Sequence, residues 1–222
     1  RLRISESKGG VTVVLLNELV NRMTLDDPEE RRILSRVSWA QYEELLADLG
    51  DASACRVHFL NGVLEILAPS LNHESNKTRI GDLLLLYFLE TETEYFPMGS
   101  TTLKKPEQQA GGKPDESYCI GTNKEFPDLA IEVIVTSGSI NRLELYRRLG
   151  VREVWFWQKN RLALYHQRVK SVAEFAETAG YELIQRSEVL PNLDLDLLTR
   201  CLQNPNPLAA AKAFRQGLRE EE

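Results

Sequence analysis

Four acidic residues lie where the sequence could use them for chemistry: Glu74, Asp115, Asp128 and Glu132. Glu132 carries the most information, because it is the single carboxylate in the otherwise apolar run 129–135. Such a run is typical of a central strand, and a charge inside it is unfavourable unless it is paired or binds a cation. Asp115 begins the preceding predicted strand, so the two carboxylates can lie together on adjacent strands.

Two carboxylates at close range raise each other's pKa unless a cation lies between them. A hard divalent ion such as Mg²⁺ suits such a pair, since it takes oxygen ligands and keeps several waters. Each residue also has a structural explanation: an ion pair for Glu132, a turn after Pro114 for Asp115, and a helix-dipole interaction for Glu74. Both interpretations stay open for each residue, and the metal interpretation gains weight only from the set.

The elements that must position these residues are predicted from caps, turns and apolar periodicity. Ser38 and Gln41 form a capping box that opens a helix, which Gly50 ends. Asn61-Gly62 between two apolar runs predicts a β-hairpin. The predicted helices are 38–50, 74–90, 138–149, 194–202 and a terminal helix from 209 to 222. The predicted strands are 55–60, 63–67, 94–98, 116–120, 129–135, 153–157 and 162–167, with a possible edge strand at 181–187.

This order of elements predicts a mixed sheet flanked by helices, in an α/β or α+β fold. The turn Lys159-Asn160 makes the strand after it run antiparallel to the strand before it. Ahead of the first helix, 11–16 is a possible strand and 26–32 reads as a charged linker.

Composition excludes several kinds of protein. The net charge of −6 argues against a broad electrostatic grip on nucleic acid, although a local basic groove is compatible with it. Cys55, Cys119 and Cys201 are odd in number and widely spaced, so neither a zinc cluster nor a disulfide framework is expected. A reducing, cytoplasmic location follows from that cysteine usage. No stretch approaches the roughly 18 apolar residues of a membrane span.

Three segments together resemble a known family. They are KPDESY at 113–118, PDLAIEV at 127–133 and YRRLGVREVWFW at 146–157. These segments resemble the Uma-two family of bacterial restriction endonucleases, within the PD-(D/E)XK nuclease-like superfamily. The resemblance runs from about Ser38 to about Gln167, and His73-Glu74 at the head of a helix also fits it.

The resemblance implies a restriction-endonuclease-like domain, which we place at 38–202, between an N-terminal extension at 1–37 and a tail helix at 203–222. It also implies that Asp115 and Glu132 bind Mg²⁺ or Mn²⁺ and that Glu74 assists them. One departure is that Ile134 occupies the position of the superfamily's lysine. The matching cation on the following helix is Arg142, which stays charged but does not readily transfer a proton. Lys77, Lys104, Lys105 and Lys113 are possible substitutes.

The resemblance therefore implies a metal-dependent endonuclease that hydrolyses nucleic acid, expected to be DNA, with Glu74, Asp115, Glu132 and Arg142 in its site. By analogy with other nucleases of this fold, we expect a homodimer, with the strand pair 153–157 and 162–167 as one possible surface. The alternative is a catalytically inactive binding or assembly protein on the same fold. A metal-dependent phosphoesterase for a small substrate is a lesser alternative.

One aromatic segment and the histidines are interpreted as structural. Trp155-Phe156-Trp157 could stack on bases, but its place in an alternating strand favours core packing, with both tryptophans on one face. The histidines do not have metal-ligand spacing. His73 could contact phosphate or cap its helix, and a structural role is favoured for it.

Overall fold

The computed structural model describes residues 16, 18–20, 22–23, 29–50, 54–136, 139–169 and 174–220. Its strands are β1 (Glu30–Ser35), β2 (Arg56–Leu60), β3 (Val63–Ala68), β4 (Tyr95–Pro97), β5 (Leu103–Lys105), β6 (Ala110–Gly112), β7 (Glu116–Ile120), β8 (Leu129–Ile134), β9 (Glu153–Gln158), β10 (Arg161–Gln167) and β11 (Tyr181–Ile184). Its α-helices are α1 (Trp39–Leu49), α2 (Leu71–Glu90), α3 (Arg142–Leu149), α4 (Leu195–Gln203) and α5 (Pro207–Glu220).

The strands form two sheets. The first has the order β1-β3-β2-β6-β5 and is antiparallel throughout. The second has the order β11-β10-β9-β8-β7-β4, and its β8 and β9 are parallel while its other pairs are antiparallel. Parallel neighbours need a crossover connection, and α3 lies in the one between β8 and β9. The predicted mixed sheet flanked by helices, of the α+β class, is confirmed.

Local sequence signals explain the first helix and the first hairpin. The Ser38 hydroxyl accepts from the Gln41 N–H, and the Gln41 side chain accepts in return from the Ser38 N–H. Asn61 and Gly62 both have positive φ, 48° and 77°, as a two-residue turn of the primed type requires. The predicted capping box and the predicted hairpin are therefore confirmed.

The core divides among three apolar clusters. The largest packs α2, α4 and α5 against one face of the second sheet, with Trp155 and Trp157 buried in it. A second cluster surrounds α3 on the opposite side of β9, and the third joins α1 to the first sheet. The predicted placement of both tryptophans in one core layer is confirmed. None of the described helices has the length and apolar character needed to cross a membrane.

Several predicted boundaries are wrong. The charged-linker interpretation fails for 30–32, because these residues belong to β1, which pairs along its whole length with β3. The helix predicted from residue 138 begins at Arg142, where Asn141 caps it. The long helix begins at Leu71 because Ser70, and not a later residue, is its N-cap. Strands β5 and β6 were not predicted, since each has three residues and β6 is mostly glycine.

Other predictions fall partly outside the described residues. Of the possible strand at 11–16, only Leu16 is described, and it is helical and buried in the third cluster. Residues 221 and 222, the end of the predicted terminal helix, also lie outside. The division into an extension, a central domain and a tail helix stays a prediction.

Two glycines offer a matched test of this packing. A Cβ at Gly111 in β6 would lie 2.5 Å from the hydroxyl of buried Tyr42, whose ring stacks on Phe59. A Cβ at Gly81 in α2 would have nothing nearer than 3.7 Å. We expect Gly111→Ala to lower the free energy of unfolding by about 1–3 kcal/mol. Gly81→Ala should raise it by roughly 0.5–1 kcal/mol through helix propensity.

Urea unfolding at fixed pH measures both changes. A Gly111→Ala variant as stable as the wild type would contradict the described contact between β6 and α1.

Candidate active site

Asp115 is held against strand β8 by both its backbone and its side chain. Its N–H donates to the Ile131 carbonyl over 3.2 Å, and its Oδ2 accepts from the Val133 N–H over 2.7 Å. The side chain is buried. Because Glu132 stands between those two residues of β8, the two predicted carboxylates lie on adjacent segments of chain.

Two cationic groups hold the other oxygen of Asp115. The Arg56 Nε–H donates to Oδ1, and His73 Nε2 lies 2.9 Å from the same atom. His73 Nδ1 lies 2.8 Å from Glu29 Oε2, so the imidazole bridges two buried carboxylates. Burial alone would lower the pKa of His73, but its hydrogen bonds to Asp115 and Glu29 raise it to about 9. Burial opposes ionisation of Asp115 too, yet His73 and Arg56 hold its pKa below the usual range.

The groups around Glu132 differ in charge from those around Asp115. Its Oε1 accepts from the Tyr146 hydroxyl and lies 3.6 Å from Arg142 Nε and 3.9 Å from His58 Nε2. Burial raises the pKa of Glu132 to about 7, although the charge of Arg142 acts in the opposite direction. Burial and Arg142 lower the pKa of His58, which is therefore neutral and adds no positive charge.

Arg142 is positioned by the start of α3 and by the first sheet. The Asn141 side chain caps the helix by accepting from the Glu144 N–H over 3.0 Å. Arg142 Nη2 then donates to Glu65 Oε1, and the Ile140 N–H donates to Glu65 Oε2 over 3.0 Å. Glu65 on β3 therefore fixes both the helix start and the guanidinium, which lies between Glu65 and Glu132.

Glu74 joins the site through Arg56. It lies in the first turn of α2, where its Oε1 accepts from Arg56 Nη2 over 2.8 Å. Lys77 Nζ lies 3.7 Å from Glu74 and 3.9 Å from Glu116. The Glu74 side chain is 40% exposed, whereas that of Asp115 is 1% exposed. Arg56 thus links a buried carboxylate to one that reaches the surface.

The structure brings three of the four acidic candidates into one network. Asp115 and Glu74 both form ion pairs with Arg56. Glu132 lies on β8 next to Val133, whose N–H donates to Asp115. Asp128 is placed elsewhere, since its Oδ2 accepts from the Ile120 N–H over 2.8 Å and from Lys124. Among the lysines considered as substitutes, Lys77 contacts the network, Lys104 pairs with Glu43 and Lys105 stacks on Phe126. The His58 ring contacts the carbonyl of Lys113.

Arg56, Glu29 and Glu65 were not predicted as site residues. A signal was present for two of them, because Arg56 and Glu65 are charges within the apolar runs of the predicted hairpin. The turn register places Glu65 opposite His58 and puts Arg56 on the same face as His58, two residues away. Glu29 had no such signal. The structural role favoured for His73 corresponds to its buried bridge between Glu29 and Asp115.

The described residues contain no group of three His, Cys, Asp or Glu side chains that could hold a metal ion as they stand. Both oxygens of Asp115 already accept hydrogen bonds, from Arg56, His73 and the Val133 N–H. Arg56 lies between Asp115 and Glu74, two of the three carboxylates that were predicted to bind an ion.

Comparison with known protein families finds a match over most of the chain. The model of the Uma2 family, described as "Putative restriction endonuclease", matches residues 39–198. The two-sheet α+β architecture agrees with the restriction-endonuclease-like fold that this description implies. No curated protein matches the chain.

The raised pKa values of Glu132 and His73 predict two contributions to stability that are lost as pH rises, whereas the lowered pKa of His58 contributes an opposite gain up to about pH 6.5. The pKa of Glu132 lies above its unfolded value, so its protonated form stabilises the fold below about pH 4.5 and that contribution is lost towards pH 7. The raised pKa of His73 contributes stability below about pH 6.5 that is lost as pH rises through 9. Each of these two upward shifts corresponds to roughly 3 kcal/mol.

Urea unfolding in EDTA at pH 5, 7 and 9 separates the two contributions. Between pH 5 and 7, the stability of Glu132→Gln should fall less, or rise more, than that of the wild type, and His73→Gln should flatten the fall between pH 7 and 9. Glu125→Gln, at an exposed position, is the control and should keep the wild-type profile. A wild-type stability that does not fall between pH 7 and 9 would contradict the buried bridge that His73 forms between Glu29 and Asp115.

Proposed function

Since the chain belongs to the Uma2 family, we propose that it is an endonuclease that hydrolyses phosphodiester bonds of nucleic acid, with DNA as the first substrate to test. The observation that carries the proposal is the position of Asp115 and Glu132 on adjacent segments, with Arg142 on α3 3.6 Å from Glu132. A guanidinium suits a reaction in which negative charge develops on phosphate, and the two carboxylates suit a bound cation.

We also propose that Mg²⁺ or Mn²⁺ acts at this site, held by Asp115 and Glu132 with Glu74 assisting. The donors fit a hard cation in kind, because all three are carboxylates and Glu74 is open to solvent. When bound, a divalent ion would stabilise charge on the phosphate and activate the attacking water. To be held by Asp115, the ion must replace the Arg56 guanidinium, which now takes that position.

The chain's own groups have separate tasks in this proposal. Arg142 is fixed by Glu65 and offsets charge on the phosphate, although it does not readily transfer a proton. His73 and Arg56 keep Asp115 ionised inside the core, where burial would otherwise favour its neutral form. Tyr146 fixes the orientation of the Glu132 carboxyl by donating to its Oε1.

The second candidate is a non-catalytic binding or assembly protein on the same fold. The observation that favours it is the closure of the acidic network by the chain's own cations, with both oxygens of Asp115 in use. In that case the network stabilises the core, and Arg56 is the permanent partner of Asp115 and Glu74.

Two properties of the protein as a whole are proposed with this function. A homodimer would allow two strands to be cut. The strand pair expected as its surface includes β9, but β9 is interior to the sheet and both its tryptophans are buried. The sheet edge β11, where Leu183 is exposed, is the better surface for a second copy. The three free cysteines suit a reducing cytoplasm.

Cleavage assays test the catalytic proposal. Purified protein with Mg²⁺ or Mn²⁺ should cleave plasmid or single-stranded DNA, and Asp115→Asn and Glu132→Gln should each lower the rate at least 100-fold, since metal stabilisation is worth several kcal/mol. Circular dichroism checks that the variants fold. Glu125→Gln is the control, and cleavage that persists unchanged in Asp115→Asn would refute the assignment.

Metal binding tests the exchange between Arg56 and the ion. Arg56→Met removes the competing guanidinium and leaves Asp115 short of positive charge, so we expect Mn²⁺ to bind at least tenfold more tightly than in the wild type. Calorimetry and the rise of Tm with Mn²⁺ concentration measure this. Arg79→Met changes an arginine that donates instead to the Cys201 carbonyl, and it should bind Mn²⁺ as the wild type does. Equal affinity in Arg56→Met and Arg79→Met would favour the non-catalytic alternative.

A further inference from the structure

A cleft opens beside the acidic network on the face of the second sheet that carries Glu132. In the sheet register, Glu132, Phe156 and Ala163 form one row across β8, β9 and β10. Ile134, Gln158 and Arg161 form the next row towards the strand end. Side chains two residues apart on a strand share a face, so both rows lie on one surface. Residues of both rows line the cleft, and the start of α3 closes its side.

The charge of the cleft differs from that of the whole chain. Arg142, Lys159 and Arg161 line it, and none of the described residues that line it is acidic. The chain as a whole carries a net charge of −6. Lys159 and Arg161 are exposed, whereas Arg142 is buried and ion-paired with Glu65. The two exposed cations favour an anionic ligand at this place.

Aromatic side chains form the floor of the same cleft. Phe156 and Tyr165 meet edge to face, with ring centroids 5.7 Å apart and planes at 75°, and both are half-buried. Trp155 and Trp157 point to the opposite face and are buried in the core. The aromatic residues of β9 therefore lie on both faces of the sheet. Aromatic side chains beside cations are the usual combination for an unpaired nucleotide, whose base stacks while its phosphate is neutralised.

Arg142 connects the cleft to the acidic network. Its Nη1 is buried and has no hydrogen-bond partner among the described residues, while its Nη2 donates to Glu65 and its Nε lies 3.6 Å from Glu132. An unpaired donor on a buried guanidinium is unfavourable, and a phosphate oxygen would satisfy it. The cleft volume of about 630 Å³ is within the range of roughly 300–1,000 Å³ that is usual for small-ligand sites.

We propose that this cleft binds an unpaired nucleotide of a single-stranded nucleic acid, with its base against Phe156 and Tyr165 and its phosphate at Arg142 and Arg161. The inference deepens the proposed function, because it places the flanking nucleotide next to the bond to be cut. Binding itself requires only the cleft. Duplex ends must unpair before a base can enter it.

Fluorescence anisotropy with labelled oligonucleotides in EDTA tests binding without cleavage. The probes are twelve-residue oligothymidylate, twelve-residue oligouridylate and a blunt duplex of the same length, so the first two arms show whether DNA or RNA is preferred. The wild type should bind at least one single-stranded probe more tightly than the duplex. Tyr165→Leu should weaken that binding about tenfold through lost stacking.

A matched pair of double variants isolates the cations. Lys159→Gln with Arg161→Gln should weaken binding at least tenfold, and the slope of log affinity against log salt should fall by about 1.4. Arg200→Gln with Lys212→Gln removes the same charge from exposed positions on α4 and α5 and should leave affinity and slope near the wild type.

Failure of this inference is distinct from failure of the nuclease proposal. Equal loss in both double variants, no effect of Tyr165→Leu, or no binding of any single-stranded probe by the wild type would overturn the cleft assignment. Binding that depends on the cleft without any cleavage in Mg²⁺ or Mn²⁺ would uphold the cleft and refute the catalytic proposal.

Discussion

The burial of carboxylates between the two sheets is the constraint on which the rest of this structure depends. Asp115 and Glu132 lie where water cannot solvate their charge, so the chain must supply compensation from nearby. Arg56 and His73 supply it for Asp115, and Arg142 and Tyr146 supply it for Glu132. These partners come from β2, α2 and α3, and the charge network therefore ties both sheets and two helices together.

The same pairing of buried carboxylates with cations bears on both the stability and the proposed function of the protein. Removing one partner of a buried ion pair leaves the other charge unpaired, which is strongly unfavourable, so the network resists opening. A divalent cation offers the carboxylates an equivalent partner with more charge. In the proposed metal site, Arg56 would hold the carboxylates together in the absence of an ion, and a bound ion would displace its guanidinium from Asp115.

The sequence predicts those features of the fold and the site whose indicating pattern lies within a short stretch of chain. The capping box at Ser38, the Asn61-Gly62 turn and the lone carboxylate of β8 are local patterns, and the structure agrees with the first two and places Glu132 inside that strand. The partner of Arg56 could not be assigned, because Asp115 is 59 residues away and the two residues meet only where the first sheet packs on the second. The short strands β5 and β6 lack apolar periodicity, so only their pairing defines them: β6 pairs with β2, and β5 pairs with β6.

A crystal soaked in Mn²⁺ and measured near the manganese absorption edge shows whether Asp115 and Glu132 bind a metal. We expect an anomalous peak between Asp115 and Glu132, with Glu74 turned towards it and the Arg56 guanidinium withdrawn from Asp115. Crystals soaked to saturation that show no peak there, with Arg56 still donating to Asp115, would contradict the claim that these carboxylates form a metal site.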